Sequence, residues 1–207
     1  MASIEKIKRN KVYTTLGASN HSLDDRANYD YYATDPEALT KFLKAIEKDN
    51  ITINQNIWEC ATGENHLKNR LVEHGYNVVG TDIINRNNSV DDIMDFLVIE
   101  ENPYPNHDIL TNPPYKYSLE FLKKGLDLIE TGEKIIMILK IQFLEGKKRY
   151  EFFKKQKPRY VYIHSRRVHC AKNGNFEDKK QNNSAVCYAW FIFEKGFKGD
   201  TIIRWIG

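Results

Sequence analysis

Asn112-Pro113-Pro114-Tyr115 directly follows the apolar run Asp108–Thr111. Two consecutive prolines hold φ and remove two backbone donors, so this turn is stiff and its carbonyls remain available as acceptors. The Asn112 side-chain oxygen and the Pro113 carbonyl make a two-acceptor pincer for an amino group. Tyr115 can lie flat against the ring that bears that group. These four residues are the candidate catalytic set. The plain alternative is a structural turn with an incidental aromatic, and a position at a strand end weighs against it. Two carboxylates, Glu59 and Asp82, flank Gly63 at the ends of two further apolar runs. A strand-end carboxylate can accept both hydroxyls of a ribose, and glycine lets the backbone approach a ligand closely. Neither GxGxxG nor GxxxxGK[ST] follows a strand, so nothing in the chain is built for a pyrophosphate.

Alternating strands and helices must position these groups. Asp35-Pro36-Glu37 opens a helix with an acidic cap and proline at its first position, followed by Ala38, Leu39, Phe42, Leu43 and Ile46 at helical spacing. Ile57–Cys60 is a short strand, and His66–Glu73 a helix with Leu67, Leu71 and Val72 inward. Asn77–Ile83 is a second strand, a third lies near Ser89–Ile93, and Asp108–Thr111 is a fourth. Ser118–Ile129 reads as a helix, Lys134–Leu139 as a fully covered parallel strand, and Leu144–Lys154 as a basic helix. Arg159–His164, Ala185–Phe193 (the longest) and Thr201–Trp205 complete the strands. The alternation predicts an α/β fold with a mostly parallel sheet and helices on both faces. Ligands of such sheets bind beyond the C-terminal strand ends, where the unusual residues sit.

With those residues in view, the chain resembles class I S-adenosylmethionine-dependent methyltransferases carrying an NPPY motif, above all small N6-adenine DNA methyltransferases. The resemblance covers about Tyr31 to Ile206. It implies a Rossmann-like sheet with one antiparallel C-terminal strand, and S-adenosylmethionine as cofactor. Glu59-Cys60-Ala61-Thr62-Gly63-Glu64-Asn65 is similar to the family's (D/E)-x-x-x-G-x-G loop, with Asn65 where the last glycine is expected. By that likeness Glu59, Cys60, Ala61 and Gly63 become cofactor-binding candidates. Asp82, with Ile83 after it, stands where the family's acid holds the ribose hydroxyls. Asp95-Phe96 resembles a pair that contacts the cofactor adenine. Tyr32, Ala33 and Thr34 look like the segment that closes over the methionine end, and Asn112 borders the cofactor as well as the acceptor. The implied acceptor is the N6 amine of adenine in DNA. The same motif also occurs in methyltransferases of RNA adenine and of a protein glutamine amide. A non-catalytic module binding cofactor or nucleic acid is the reading of another class.

The remaining features bear on the partner. The chain has 207 residues, 41% hydrophobic and 29% charged, with net charge +3. That suits one soluble domain over 29–207, preceded by a polar arm at 1–28. The first 111 residues carry 11 Lys/Arg against 18 Asp/Glu, and the remainder 20 against 10. Such polarity can turn one basic face toward a polyanion. Lys147, Lys148 and Arg149, with Arg166, Arg167 and Phe176 in a long polar loop at 165–184, are the candidate nucleic-acid contacts. Phe176 and His169 are candidates for stacking on the second face of a flipped base. No apolar run suits a membrane span. Three widely spaced cysteines give neither a disulfide framework nor a metal clip, and no metal is expected. The expected compartment is a reducing cytoplasm.

Overall fold

A computed structural model describes residues 32–88, 90–168, 170–172 and 186–207. The expected arm at 1–28, Phe176 and His169 lie outside them. The described elements are β1 (Tyr32–Thr34), α1 (Pro36–Lys48), β2 (Asn56–Glu59), α2 (His66–Glu73), β3 (Asn77–Asp82), β4 (Asp92–Ile93) and β5 (Asp108–Thr111). They continue with α3 (Ser118–Leu128), β6 (Lys134–Lys140), α4 (Lys147–Phe153), β7 (Tyr160–His164), β8 (Cys170–Lys172), β9 (Tyr188–Glu194) and β10 (Ile202–Ile206).

Eight strands form one sheet in the order β10-β7-β9-β6-β5-β2-β3-β4. β9 is antiparallel to both β6 and β7, and every other pair in this sheet is parallel. The expected antiparallel strand is therefore β9, while the last strand returns parallel to β7 on the edge. Side chains alternate between the two faces with period two. Ile57, Leu110, Ile136, Ile138 and Trp190 meet Leu39, Phe42, Leu43, Leu67 and Leu71 of α1 and α2. Trp58, Ile109, Ile135, Met137 and Phe191 meet Phe121, Leu122 and Leu126 of α3. Tyr188, Trp190, Phe191 and Phe193 are buried, and Trp190 stacks on Phe42 with ring centroids 4.6 Å apart.

Local chemistry explains the helix starts. The Asp35 carboxylate accepts the Glu37 N–H at 2.9 Å with Pro36 at the first position, as its sequence indicates. The basic helix begins at Lys147, later than the expected Leu144, because Ile141–Leu144 forms a 3-10 turn and Gly146 takes φ 104°. Val72, expected inward, is 52% exposed, since the short α2 buries only Leu67 and Leu71. The 165–184 segment is not wholly irregular. Cys170–Lys172 pairs antiparallel with β1, aligning Thr34 with Cys170, a pairing no local pattern announces. Among the described residues no helix is long and apolar enough to cross a membrane.

Candidate active site

β2 and β5 are adjacent and parallel, with Ile57 opposite Asp108 and Trp58 opposite Ile109. The chain therefore leaves both strands at the same edge of the sheet, from positions roughly 5 Å apart. After Glu59 it turns to α2 on one face; after Thr111 it turns to α3 on the other. This divergence is the topological switch point, where an open α/β sheet forms its ligand crevice. The loop after β2 and the Asn112–Tyr115 turn are its two walls.

In the first wall, Gly63 adopts φ 58° and its N–H donates to Asp82 Oδ2 at 2.9 Å. Asn65 adopts φ 66°, the left-handed conformation that asparagine tolerates, at the position where the sequence reading expects a glycine. Glu59 is 1% exposed, and burial pushes its carboxyl up to about 8. The Thr62 hydroxyl lies 3.0 Å from Glu59 Oε2 and 2.6 Å from Asn65 Oδ1. One hydroxyl proton cannot serve two acceptors. A Glu59 that keeps its own proton resolves this by donating to Thr62, which donates to Asn65.

Asp82, 7% exposed, accepts from Gly63 N and from Ile84 N at 3.0 Å, and Arg86 Nη1 lies 3.4 Å from its Oδ1. Each carboxylate oxygen offers about two acceptor sites, so Oδ2 retains capacity for a hydroxyl. Ile83 beside it is 56% exposed. Asp95 Oδ1 accepts the Leu97 N–H at 3.1 Å. Phe96 is 2% exposed and packs against Trp58 and Phe121, so it supports β2 from below, and Asp95 is the more accessible member of that pair. Cys60 is buried and Ala61 half-buried in the same loop; burial pushes the Cys60 thiol up.

In the second wall, Asn112 Nδ2 donates to Thr34 Oγ1 at 2.9 Å, across 78 positions of sequence. Thr34 and Ala33 are 2% and 3% exposed, so β1, which carries Tyr32, is docked against the turn. With Nδ2 the donor, the oxygen is the acceptor end of the amide, and it is buried. The Pro114 carbonyl accepts the Tyr117 N–H at 2.9 Å and starts a 3-10 turn at Tyr115–Tyr117 that runs into α3. The Tyr115 ring has Lys140 Nζ over its face, 4.8 Å from the centroid, and Tyr188 5.9 Å away at 40°. Lys140 escaped the sequence reading, although it ends β6 and so belongs to the ligand-binding edge.

The basic candidates divide. Lys147, Lys148 and Arg149 line a cavity of about 440 Å³ together with Tyr115–Glu120 and Phe143. Arg149 is engaged within the protein: Nε donates to the Glu145 carbonyl at 2.6 Å and Nη2 to the Gln142 carbonyl at 3.3 Å. Arg166 and Arg167 are exposed and border a separate, smaller pocket with Asp35, Glu37, Lys41 and His164.

No protein-family model and no curated protein matches the chain. Solved structures do match in fold. A Listeria monocytogenes protein assigned to the class I S-adenosylmethionine-dependent methyltransferases aligns at TM-score 0.55 and 14% identity, over 97% of this chain and 72% of its own. The methyltransferase subunit of a Streptococcus thermophilus type I restriction-modification system aligns at 0.57 and 13%, over 86% of this chain and 47% of its own. A Pyrococcus horikoshii protein assigned as an RNA methyltransferase aligns at 0.54 and 12%, over 79% and 86%. The chain thus spans about half the length of the type I subunit. The fold is the Rossmann-like fold that these methyltransferases share, with β10 at one edge of its sheet.

Proposed function

We propose that this protein transfers a methyl group from S-adenosylmethionine to the exocyclic N6 amine of adenine in DNA. The observation that carries the reading is the meeting, at one switch point, of the Asn112–Tyr115 turn with the Gly63–Asp82 loop. Asp82 is suited to ribose hydroxyls, and the backbone at Gly63 to close approach; the residues present therefore fit an adenosyl cofactor. When bound, that cofactor supplies an activated methyl on a sulfonium. The likeness in fold to methyltransferases supports the same reading.

The protein's own task is to prepare the acceptor. The lone pair of the adenine amine is delocalised into the ring, which makes it a poor nucleophile. Two hydrogen bonds from that amine, to Asn112 Oδ1 and to the Pro113 carbonyl, draw the nitrogen toward tetrahedral geometry and localise the pair. The Thr34 contact orients the Asn112 amide for this. In-line positioning supplies much of the acceleration. The amine proton becomes acidic once nitrogen is methylated, so no strong base is required. Tyr115 offers the stacking surface for a base taken out of its helix, and Lys140 must shift or keep to the opposite ring face when the base arrives.

Asn112→Ala is expected to abolish N6-methyladenine in DNA that has been incubated, digested and analysed as nucleosides, with S-adenosylmethionine binding by calorimetry largely retained. Undiminished turnover in this variant, or label passing only to RNA or to a glutamine peptide offered in parallel, refutes the assignment.

A further inference from the structure

A cavity opens beside the Asn112–Tyr115 turn at the C-terminal edge of the sheet, and the described residues that line it are chemically one-sided. Three of its cations, Lys116, Lys147 and Lys148, are exposed and have no carboxylate within ion-pair distance among the described residues. Some lysines elsewhere hold an ion pair: Lys68 with Asp91 at 2.6 Å, Lys154 with Glu151 at 2.6 Å and Lys157 with Asp200 at 2.9 Å. Of the described residues lining the cavity, Glu120 alone is a carboxylate. Tyr117 and Phe143 supply aromatic surface, with Lys116 Nζ 5.5 Å from the Tyr117 ring centroid.

The far wall is built to persist. Arg149 lies over Phe143 with its guanidinium 5.5 Å from the ring, and its two carbonyl bonds hold the 142–145 turn closed. Gly146 makes this possible, since its φ is 104° and a Cβ there would come within 3.0 Å of Arg149 Nη2. A volume of about 440 Å³ lies in the range of small-ligand pockets and suits a single nucleotide. A base pair with its stacked neighbours is far larger.

We infer that this cavity seats the nucleotide flanking the target adenine on an unpaired strand, so that single-stranded DNA is the preferred substrate. The inference rests on the methyl-transfer reading of the adjoining turn. A flanking nucleotide enters a pocket of this size only when unstacked, a state that a duplex opposes and a single strand allows. Its phosphates meet Lys116, Lys147 and Lys148, while its base finds Tyr117, and stacking of this kind tolerates any sequence because every base has a π-face.

A short labelled thymidine-only oligonucleotide, itself without a methyl acceptor, tests this by fluorescence anisotropy. The expected result is that wild-type protein binds this strand more tightly than the corresponding adenine–thymine duplex. In Lys147→Ala/Lys148→Ala, the slope of log affinity against log salt between about 50 and 200 mM is expected to fall by about 1.4, roughly 0.7 for each phosphate of a single strand that is no longer neutralised. Lys44→Ala/Lys48→Ala, on the exposed side of α1, is expected to leave the slope unchanged. An unchanged slope in the Lys147/Lys148 variant, or tighter binding of the duplex by wild type, overturns the inference. Failure of the wild type to label adenine-containing strands while it still binds the thymidine probe strikes instead at the methyl-transfer reading.

Discussion

At the scale of single residues, burial decides what the acids do. Glu59 and Asp82 both end strands and look alike in sequence, yet one is 1% exposed beside Thr62 and the other accepts two backbone N–H groups. The Glu59 carboxyl, raised to about 8, stays protonated in the folded protein over a range in which the unfolded chain ionises it. The unfolded state therefore binds fewer protons, and this group's contribution to stability declines as pH rises from about 4.5 to about 8. His164, whose Nε2 accepts from Trp190 Nε1 at 3.1 Å, is lowered by burial to about 4 and works the other way, costing stability as pH falls below about 6.5. Between about pH 7.5 and 8 the imidazole is nearly neutral in both states, and of these two groups the glutamate dominates. Over that window urea unfolding midpoints of the wild type are expected to fall, and those of Glu59→Gln to stay nearly flat. Parallel curves for the two proteins would show that Glu59 is ionised in the fold.

At the scale of elements, the helices approach the sheet closely enough to dictate small residues. α3 lies on β6 through Gly125, where a Cβ would run into Cδ1 of the fully buried Ile135. Alanine is the better helix former by about 1 kcal/mol, but overpacking a tight interface costs typically 1–3 kcal/mol. Gly125→Ala is expected to be destabilising on balance, by about 1 kcal/mol in urea denaturation, and an increase in stability would show that α3 can lift without penalty. These elements were readable in advance because their signals are local. Asp35-Pro36 announces α1, and Lys134–Leu139 declares a strand covered on both faces. The β1–β8 pair was not readable, since three-residue strands drawn from distant segments carry no periodicity of their own.

At the scale of the whole molecule, the same residue type serves opposite ends of one sheet. Asp108 begins β5, is 1% exposed and accepts the Asn54 and Lys134 N–H groups, each at 2.8 Å. Asp82 ends β3 on the ligand-binding edge. Asp108→Asn is expected to lower unfolding stability by about 1–3 kcal/mol, the usual cost of leaving a buried donor unsatisfied, and to leave cofactor affinity unchanged. Asp82→Asn is expected to weaken S-adenosylmethionine binding at least about tenfold, the loss of roughly 1.4 kcal/mol, as read by calorimetry. Equal effects of the two substitutions on cofactor affinity would deny the sheet its functional polarity.

By itself the amino-acid order determined the alternation of strands and helices, the stiff Asn112–Tyr115 turn and the acid-and-glycine loop, because periodicity and turn chemistry act over a few neighbouring residues. Only the tertiary structure decided that Thr34 anchors Asn112, that Lys140 covers Tyr115, that Arg149 is tied to carbonyls while Lys147 and Lys148 face solvent, and that Glu59 is buried. Those outcomes depend on contacts across the chain and on distance from water, which no local pattern encodes.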